Sequence, residues 1–268
     1  MLPQITIFGK IISTYSLCGI IGILVAAWIY CYLLKRRNRC DSDGILMILF
    51  SGIGILIGSH LLYGITNIKY WYVIFEASSF KEVFSILGSI FGGAVFYGGL
   101  IGGLIFAFIY IRLKKLDFND FADCGAISIP LFHSFARVGC FLAGCCYGIE
   151  SEFGFMSNNN PLVPAVVGIR RFPTSLLEAL LNLALFFVLL NLRKSKRLRG
   201  ALLHIYLISY SVMRFAIEFL RGDEIRGIWF GLSTSQWISI VVFVFAAHML
   251  HKHQCLQKTK KAKSNTST

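Results

Sequence analysis

Two arginines on apolar segments are the residues of this chain best suited to bind a phosphate. Arg137 follows His133 by four residues, so both side chains lie on one face of a helix. Arg214 lies on a second apolar segment. That segment carries a polar stripe along one helix face, made by Tyr210, Arg214, Glu218 and Arg221. Because a guanidinium group offers a fixed fork of donors to phosphate oxygens, this spacing predicts a phosphate site made by two helices.

The composition requires that these arginines lie in a membrane protein. The chain has 268 residues, of which 56% are hydrophobic and 15% are charged, and its mean hydropathy is +0.69. Soluble domains are usually about one quarter charged, and a soluble fold of this length could not bury so much apolar surface. The same composition excludes a disordered chain. We therefore predict an all-α polytopic membrane helix bundle.

Seven apolar segments are long enough to cross a hydrocarbon core of about 30 Å. They cover residues 11–34, 44–65, 85–111, 121–142, 173–192, 201–220 and 233–251. We expect residues 1–256 to form the transmembrane domain and the basic residues 257–268 to form a disordered tail.

Most of the 26 basic residues lie in the loops after the first, third and fifth segments and in the tail. By the positive-inside rule, the N-terminus is predicted to lie outside and the C-terminus in the cytoplasm. The formal net charge of +13 is thus an orientation signal, and we predict no nucleic-acid partner.

In this topology the polar residues of several helices share one level, toward the outer leaflet. Besides the two arginines they include Tyr15, Tyr97 and Glu178. Glu178 is placed to orient Arg137, and Glu218 to orient Arg214. Since charge at membrane depth is costly, this convergence predicts a functional site. The alternative is a structural ion pair between helices, with Arg137 reaching to the interface.

Residues 133–148 read HSFARVGCFLAGCCYG and are the most specific motif of the chain. This segment resembles the signature of the prolipoprotein diacylglyceryl transferase family, Gly-Arg-hydrophobic-Gly-Asn-Phe-x-Asn-Gly-Glu-x-x-Gly. Further segments resemble family motifs in the same order: the region of Tyr15 and residues 96–102, 171–178, 210–223 and 231–236. The resemblance implies a seven-helix bundle in the bacterial cytoplasmic membrane, with its N-terminus outside and its active site toward the outer leaflet.

The family reaction implied is transfer of a diacylglyceryl group from phosphatidylglycerol to the thiol of a lipobox cysteine beside a prolipoprotein signal peptide. Arg137 and Arg214 would stabilise the phosphate, with His133 as first and Tyr97 as second candidate for the base. No cofactor or metal is required. The predicted substrate-binding residues are Tyr15, Gly98, Gly99, Cys140, Gly144, Gly148, Glu178, Tyr210, Glu218 and Arg221.

Several positions depart from the family pattern. Tyr97 stands where the family has a functionally important His, and Cys140 and Cys145 replace the signature Asn and Glu. Ala143 replaces a second Asn, and Phe172 another His. Two alternatives follow: a divergent member that acts on another phospholipid or acceptor, and a non-catalytic binder or transporter of lipid headgroups.

Three cysteines, Cys140, Cys145 and Cys146, lie beside Arg137 in the motif. They are consistent with packing thiols, with an oxidised pair, with a covalent nucleophile in another transfer reaction, or with a soft-metal site that includes His133. Metal binding ranks lowest, because the spacing matches no standard zinc pattern.

Overall fold

The computed structural model describes residues 2–7, 9–223 and 227–265 of the chain. Within them, eight α-helices form nearly all of the regular structure. They are α1 (Thr14–Arg36), α2 (Asp41–Thr66), α3 (Phe80–Phe91), α4 (Phe96–Leu113), α5 (Phe118–Ala143), α6 (Thr174–Leu192), α7 (Leu202–Glu218) and α8 (Thr234–Asn265). Short 3-10 helices cover Ile68–Glu76, Pro164–Val166 and Lys196–Leu198. The prediction of a helical membrane protein is confirmed.

Six of the described helices, rather than the seven predicted, are long and apolar enough to cross a membrane. The exception among the predicted spans is α7, which has 17 residues. At about 1.5 Å per residue, α7 is close to the lower end of the range of about 17 to 25 residues that can cross a membrane, so the number of spans stays a prediction. Many large apolar side chains on these helices face outward, among them Trp28, Leu56 and Leu104. Such surfaces suit contact with lipid.

The third predicted span is not one helix. Residues 85–111 are divided between α3 and α4, which are separated by the irregular residues 92–95. A Cβ on Gly93 would overlap the ring of Tyr63, and a Cβ on Gly92 would overlap the carbonyl oxygen of Gly88. Hydropathy does not report such backbone contacts, and for this reason it predicts a continuous segment here.

The chain divides into two compact units, one made by Met1–Leu33 with Asn119–Thr268 and the other by Leu34–Phe118. In the second unit, α2 and α4 cross with their backbones in close contact. A Cβ on Gly102 would overlap the carbonyl oxygen of Gly54, and one on Gly98 would overlap that of Gly58. These glycines therefore bring two helices together, as small residues commonly do in membranes.

In the first unit, α5 is the most buried of the membrane-length helices. Its first turns carry two fully buried carboxylates. Asp120 accepts two hydrogen bonds from Arg199, at 3.0 and 2.8 Å. Asp123 accepts hydrogen bonds from the backbone amides of Gly200 and Leu202, at 2.7 and 2.9 Å. These contacts explain how the most polar predicted span tolerates its acidic residues: the carboxylates hold the beginning of α7.

Five short strands precede or connect the helices of the first unit among the described residues. They are β1 (Gln4–Ile7), β2 (Lys10–Ser13), β3 (Glu150–Phe155), β4 (Ile228–Trp229) and β5 (Leu232–Ser233). β1 pairs with β2, and β4 with β5, both antiparallel. The first span was predicted from residue 11, but α1 begins at Thr14 because the preceding residues pair with β1.

The disorder predicted for the basic tail, residues 257–268, stays a prediction. Residues 257–265 continue α8, and residues 266–268 lie outside the described part of the chain. The tail holds Lys, Gln and Ala, which are good helix formers, and these extend a helix already nucleated by the preceding apolar turns.

Candidate functional site

An ion pair between α5 and α6 lies at the centre of the candidate site. Arg137 Nη2 lies 3.1 Å from Glu178 Oε1, and only 2% of the Glu178 side chain is exposed. The second carboxylate oxygen of Glu178, Oε2, is buried and has no hydrogen-bond partner among the described residues. Glu178 therefore orients Arg137, as predicted, and retains unused acceptor capacity.

The second arginine is held by α7 and α8. Arg214 Nη2 lies 2.8 Å from Glu218 Oε2, one turn along α7, and donates to Ser235 Oγ at 3.1 Å. Its other terminal nitrogen, Nη1, is buried and without a hydrogen-bond partner within the described residues. The predicted pairing of Arg214 with Glu218 is thus present, and the guanidinium group keeps a free donor.

The two guanidinium groups share neighbours. The Tyr210 hydroxyl oxygen accepts a hydrogen bond from the Arg137 guanidinium group, and the charge of Arg214 also acts on Tyr210. Glu178 likewise acts on both arginines. The site therefore joins α5, α6 and α7, with two positive charges beside two carboxylates.

An aromatic stack adjoins Arg137. The rings of His133 and Tyr210 are 5.4 Å apart, and those of Tyr210 and Tyr206 are 5.8 Å apart. His133 is close enough to Arg137 for the positive charge to act on its imidazole. A neighbouring cation favours the neutral imidazole, which is the form that accepts a proton.

Arg221 forms a third charged element just beyond the end of α7. It makes a bidentate pair with Asp223, with distances of 3.0 and 2.8 Å, and its side chain is 3% exposed. Burial alone would lower its pKa, but hydrogen bonds to Asp223 and Cys146 and the charges of both groups raise it. Arg221 therefore stays charged beside the cysteines.

The turn after α5 is held in an unusual conformation. Gly144 and Cys146 have positive φ angles of 78° and 56°. Ser175 Oγ, at the beginning of α6, lies 3.2 Å from the carbonyl oxygen of Cys145 and 3.0 Å from that of Cys146. Asn160 donates to the carbonyl oxygen of Ala143 at 2.9 Å. Polar side chains from the following segments thus fix this turn.

The same turn gathers three thiols. The sulfur atoms of Cys140, Cys145 and Cys146 lie within 4.8 Å of one another, and Cys140 is buried. Hydrogen bonds from Cys140 and Cys145, together with the charges of Arg221 and Arg137, lower the pKa of Cys146 despite its burial.

Gly148 permits the chain to pass between the ends of α6 and α7. Its amide donates to the carbonyl oxygen of Phe172 at 3.0 Å, and the next amide donates to that of Leu220. A Cβ on Gly148 would overlap the hydroxyl of Thr174 and lie 2.6 Å from the Phe172 oxygen. The glycine is therefore needed for backbone packing.

Residues 3–252 match the sequence model of a protein family described as prolipoprotein diacylglyceryl transferase. The chain belongs to this family. A phosphatidylglycerol–prolipoprotein diacylglyceryl transferase of Clostridium tetani is 34% identical over 240 residues, which are 89% of this chain and 92% of that protein. A second transferase of the same name, from Clostridium perfringens, is 32% identical over 89% of this chain and 90% of that protein. The transferase of the same name from Clostridioides difficile is 32% identical over 82% of this chain and 83% of that protein.

Family membership confirms the resemblance carried by residues 133–148. The structure brings together Arg137, Glu178, Tyr210, Arg214 and Glu218 of the predicted site. Cys140, Gly144, Gly148 and Arg221 lie in or against the adjoining turn.

Tyr15 lies at the beginning of α1, next to α5. A Cβ on Gly139 would lie 3.2 Å from the Cα of Tyr15. The Tyr15 side chain is exposed, and the charge of Arg137 acts on its hydroxyl group. Tyr15 therefore lies near Arg137.

Tyr97, Gly98 and Gly99 belong to the second unit. Tyr97 is exposed near the beginning of α4, and its ring contacts that of Phe96. Gly98 packs against α2, and a Cβ on Gly99 would lie 3.3 Å from Ile55 Cγ2. The packing of the two glycines is clear from these contacts, whereas the roles of all three residues in substrate binding and catalysis stay predictions.

Ser235 and Asp223 were missed as site residues. Ser235 lies in the segment 231–236 that resembled a family motif, but its type alone gave no reason to pair it with Arg214. Asp223 follows Arg221 by two residues, a spacing that could have been recognised as a local ion pair.

Proposed function

We propose that this chain transfers the diacylglyceryl group of phosphatidylglycerol to the thiol of a prolipoprotein lipobox cysteine. The names of the transferases that match most of the chain support this substrate pair. The family match over residues 3–252 supports the same reaction class.

The observation that carries the proposal is the placing of Arg137 and Arg214 around Glu178 and Tyr210. Arg214 Nη1, which has no hydrogen-bond partner in the described part of the chain, supplies a buried donor for a phosphate oxygen. In the reaction, the thiolate forms a sulfur–carbon bond, the carbon–oxygen bond to the phosphate breaks, and glycerol phosphate leaves. Two fixed guanidinium groups stabilise the charge that develops on this leaving group.

The acceptor thiol must lose its proton, because the thiolate is the nucleophile. We assign this role to His133, which lies beside Arg137 and Tyr210. Imidazole is the side chain that most often serves as a general base. Tyr97 is the second candidate, from its position in the family motif.

We place the protein in the bacterial cytoplasmic membrane as a multi-pass enzyme, with residues 1–256 as the transferase domain. The charge distribution of the loops supports an outer N-terminus, a cytoplasmic tail and a site open to the outer leaflet. Phosphatidylglycerol and the lipobox cysteine both reach the site at that level.

Complementation tests the proposal. The gene is expressed in a bacterium depleted of its own transferase, and growth and the mass of a reporter lipoprotein are followed. We expect growth and a reporter that carries the diacylglyceryl group. If the protein is inserted at normal levels but the reporter keeps its unmodified mass, the transferase assignment is wrong. Retained phosphatidylglycerol binding in that case would identify a headgroup binder.

A further inference from the structure

We propose that Cys140, Cys145 and Cys146 bind a thiophilic divalent cation, Zn²⁺ in the first instance, and leave one coordination position for the acceptor thiol. The metal site stands on the geometry of this chain. The role of the fourth position rests on the proposed function.

The sulfur positions suit one metal ion. The three sulfur atoms lie within 4.8 Å of one another. In tetrahedral coordination with Zn–S bonds of about 2.3 Å, neighbouring sulfurs are about 3.8 Å apart. Only small side-chain movements are needed to reach that spacing, and the ligand number is that of catalytic zinc sites, which have three protein ligands and one open position.

The backbone explains how adjacent cysteines serve one ion. A positive φ of 56° at Cys146 is uncommon for a residue with a side chain. Ser175 holds the turn by bonding to the carbonyl oxygens of Cys145 and Cys146. The conformation therefore directs thiols that are consecutive in sequence toward Cys140, an arrangement that sequence spacing alone does not reveal.

The charges around the cluster fit a metal–thiolate centre. Zn²⁺ with three thiolates carries a net charge of about −1, and a fourth thiolate makes it about −2. Arg221 forms a hydrogen bond to Cys146, and the charge of Arg137 acts on the same thiol. These two cations offset the negative charge of the loaded centre and belong to its outer shell.

The fourth position has a chemical use in thiol alkylation. Among the described residues, the cluster contains the three cysteines and no further His, Asp or Glu ligand. A small cleft of about 10 Å³, lined by Gly144, Cys145, Tyr147 and Ser175, lies beside it and would have to widen to admit the acceptor. A thiol that coordinates Zn²⁺ is deprotonated, so the metal would hold the acceptor as a thiolate next to Arg137.

The step balances without a further reactant. The acceptor thiol coordinates Zn²⁺ and gives its proton to His133 or water. Its sulfur forms the bond to the glyceryl carbon, the carbon–oxygen bond to phosphate breaks, and glycerol phosphate leaves with the electron pair. The thioether product binds zinc more weakly than the thiolate did, so the position becomes free again.

The full chain, purified anaerobically under reducing conditions, tests the site through its metal content and its Co²⁺ spectrum. We expect about one Zn²⁺ per chain and, after replacement by Co²⁺, a thiolate-to-cobalt absorption band typical of tetrahedral sulfur sites. Since losing an outer-shell partner costs about 10- to 100-fold in affinity, Cys140→Ser, Cys145→Ser and Cys146→Ser should each weaken metal binding by at least about 100-fold. Cys40→Ser and Cys255→Ser, which alter exposed thiols elsewhere, should leave it unchanged.

Absence of a stoichiometric metal with all thiols reduced would overturn the proposal, and so would metal binding that survives the three cluster variants. A thermal unfolding measurement on each variant separates loss of a ligand from loss of the fold.

A lipobox peptide tests the open position. The peptide should raise the thiolate-to-cobalt band by about one third, and the same peptide with serine in place of cysteine should not. An unchanged band would overturn the role of the fourth position. Transfer activity that persists after chelation would overturn the role of the fourth position and leave the proposed function standing. A metal centre that binds the peptide thiol in a protein without transfer activity would support the metal site and overturn the proposed function.

Discussion

Arg137 on α5 and Glu178 on α6 form an ion pair of 3.1 Å in which the carboxylate is almost fully buried. The pair connects the family signature, residues 133–148, to α6. It also leaves Oε2 of Glu178 without a partner among the described residues. A pair arranged only for stability would satisfy both oxygens, so this geometry favours a site that receives a further polar group.

Replacement Glu178→Gln should destabilise the protein and reduce transfer. The change leaves the Arg137 guanidinium buried opposite a neutral amide, and we expect the free energy of unfolding to fall by about 2 kcal/mol. Denaturant unfolding in detergent micelles measures this difference.

Glu150→Gln is the matched control for that experiment. Glu150 is 69% exposed and lies 3.7 Å from Arg171, so its exposed pair should contribute less than about 1 kcal/mol. Equal destabilisation by the two variants would show that the Arg137–Glu178 pair has no special importance.

Arg214→Lys should reduce the turnover number by about 100-fold, because lysine keeps the charge but loses the fork of donors. The measurement is initial transfer rates in phosphatidylglycerol vesicles. Arg170→Lys is the control, since the Arg170 side chain is exposed and, among the described residues, donates to the backbone oxygen of Glu152 at 3.4 Å. A normal rate for Arg214→Lys would remove this residue from phosphate binding.

His133→Phe should lower the turnover number by about 100-fold while the ring stack with Tyr210 is preserved. The rise of the rate with pH should also be steeper in this variant, because the acceptor thiol must then ionise without a base and the rate follows its thiolate fraction. Rates between pH 6 and pH 9, chosen to bracket a free thiol pKa of about 8.5, give the comparison. Full activity in His133→Phe, with loss in Tyr97→Phe, would transfer the base role to Tyr97.

Gly148→Ala should lower the free energy of unfolding by about 1–3 kcal/mol, since the added methyl group overlaps Thr174 and the backbone cannot move away. Gly19→Ala provides the control, because nothing lies within 4 Å of a Cβ at that helical position. The same unfolding assay applies, and similar values for both variants would contradict the packing described here.

The two ion pairs of the site followed from the sequence. Arg214 and Glu218 are one helical turn apart, so their pairing is predicted by helix geometry. The predicted topology puts Arg137 and Glu178 at the same depth of the membrane, which predicts the second pair. Both inferences use helix geometry and the cost of unpaired charge in a membrane. Both properties can be deduced from residue type and spacing along the chain.

Contacts between residues that are distant in sequence could not be predicted from the sequence. The break at residues 92–95 depends on the ring of Tyr63, and the turn at Cys146 depends on Ser175. Hydropathy and spacing do not encode either neighbour. The meeting of the three thiols and the pairing of Arg214 with Ser235 therefore required the structure.

The most direct test of the central claim is mass spectrometry of a lipobox peptide incubated with the purified protein in phosphatidylglycerol vesicles. The peptide should gain one diacylglyceryl group on its cysteine, and glycerol phosphate should be released in equal amount. Arg137→Lys and Arg214→Lys should each lower the yield of both products together. An unmodified peptide with the wild-type protein, or unaltered yields with both variants, would contradict it.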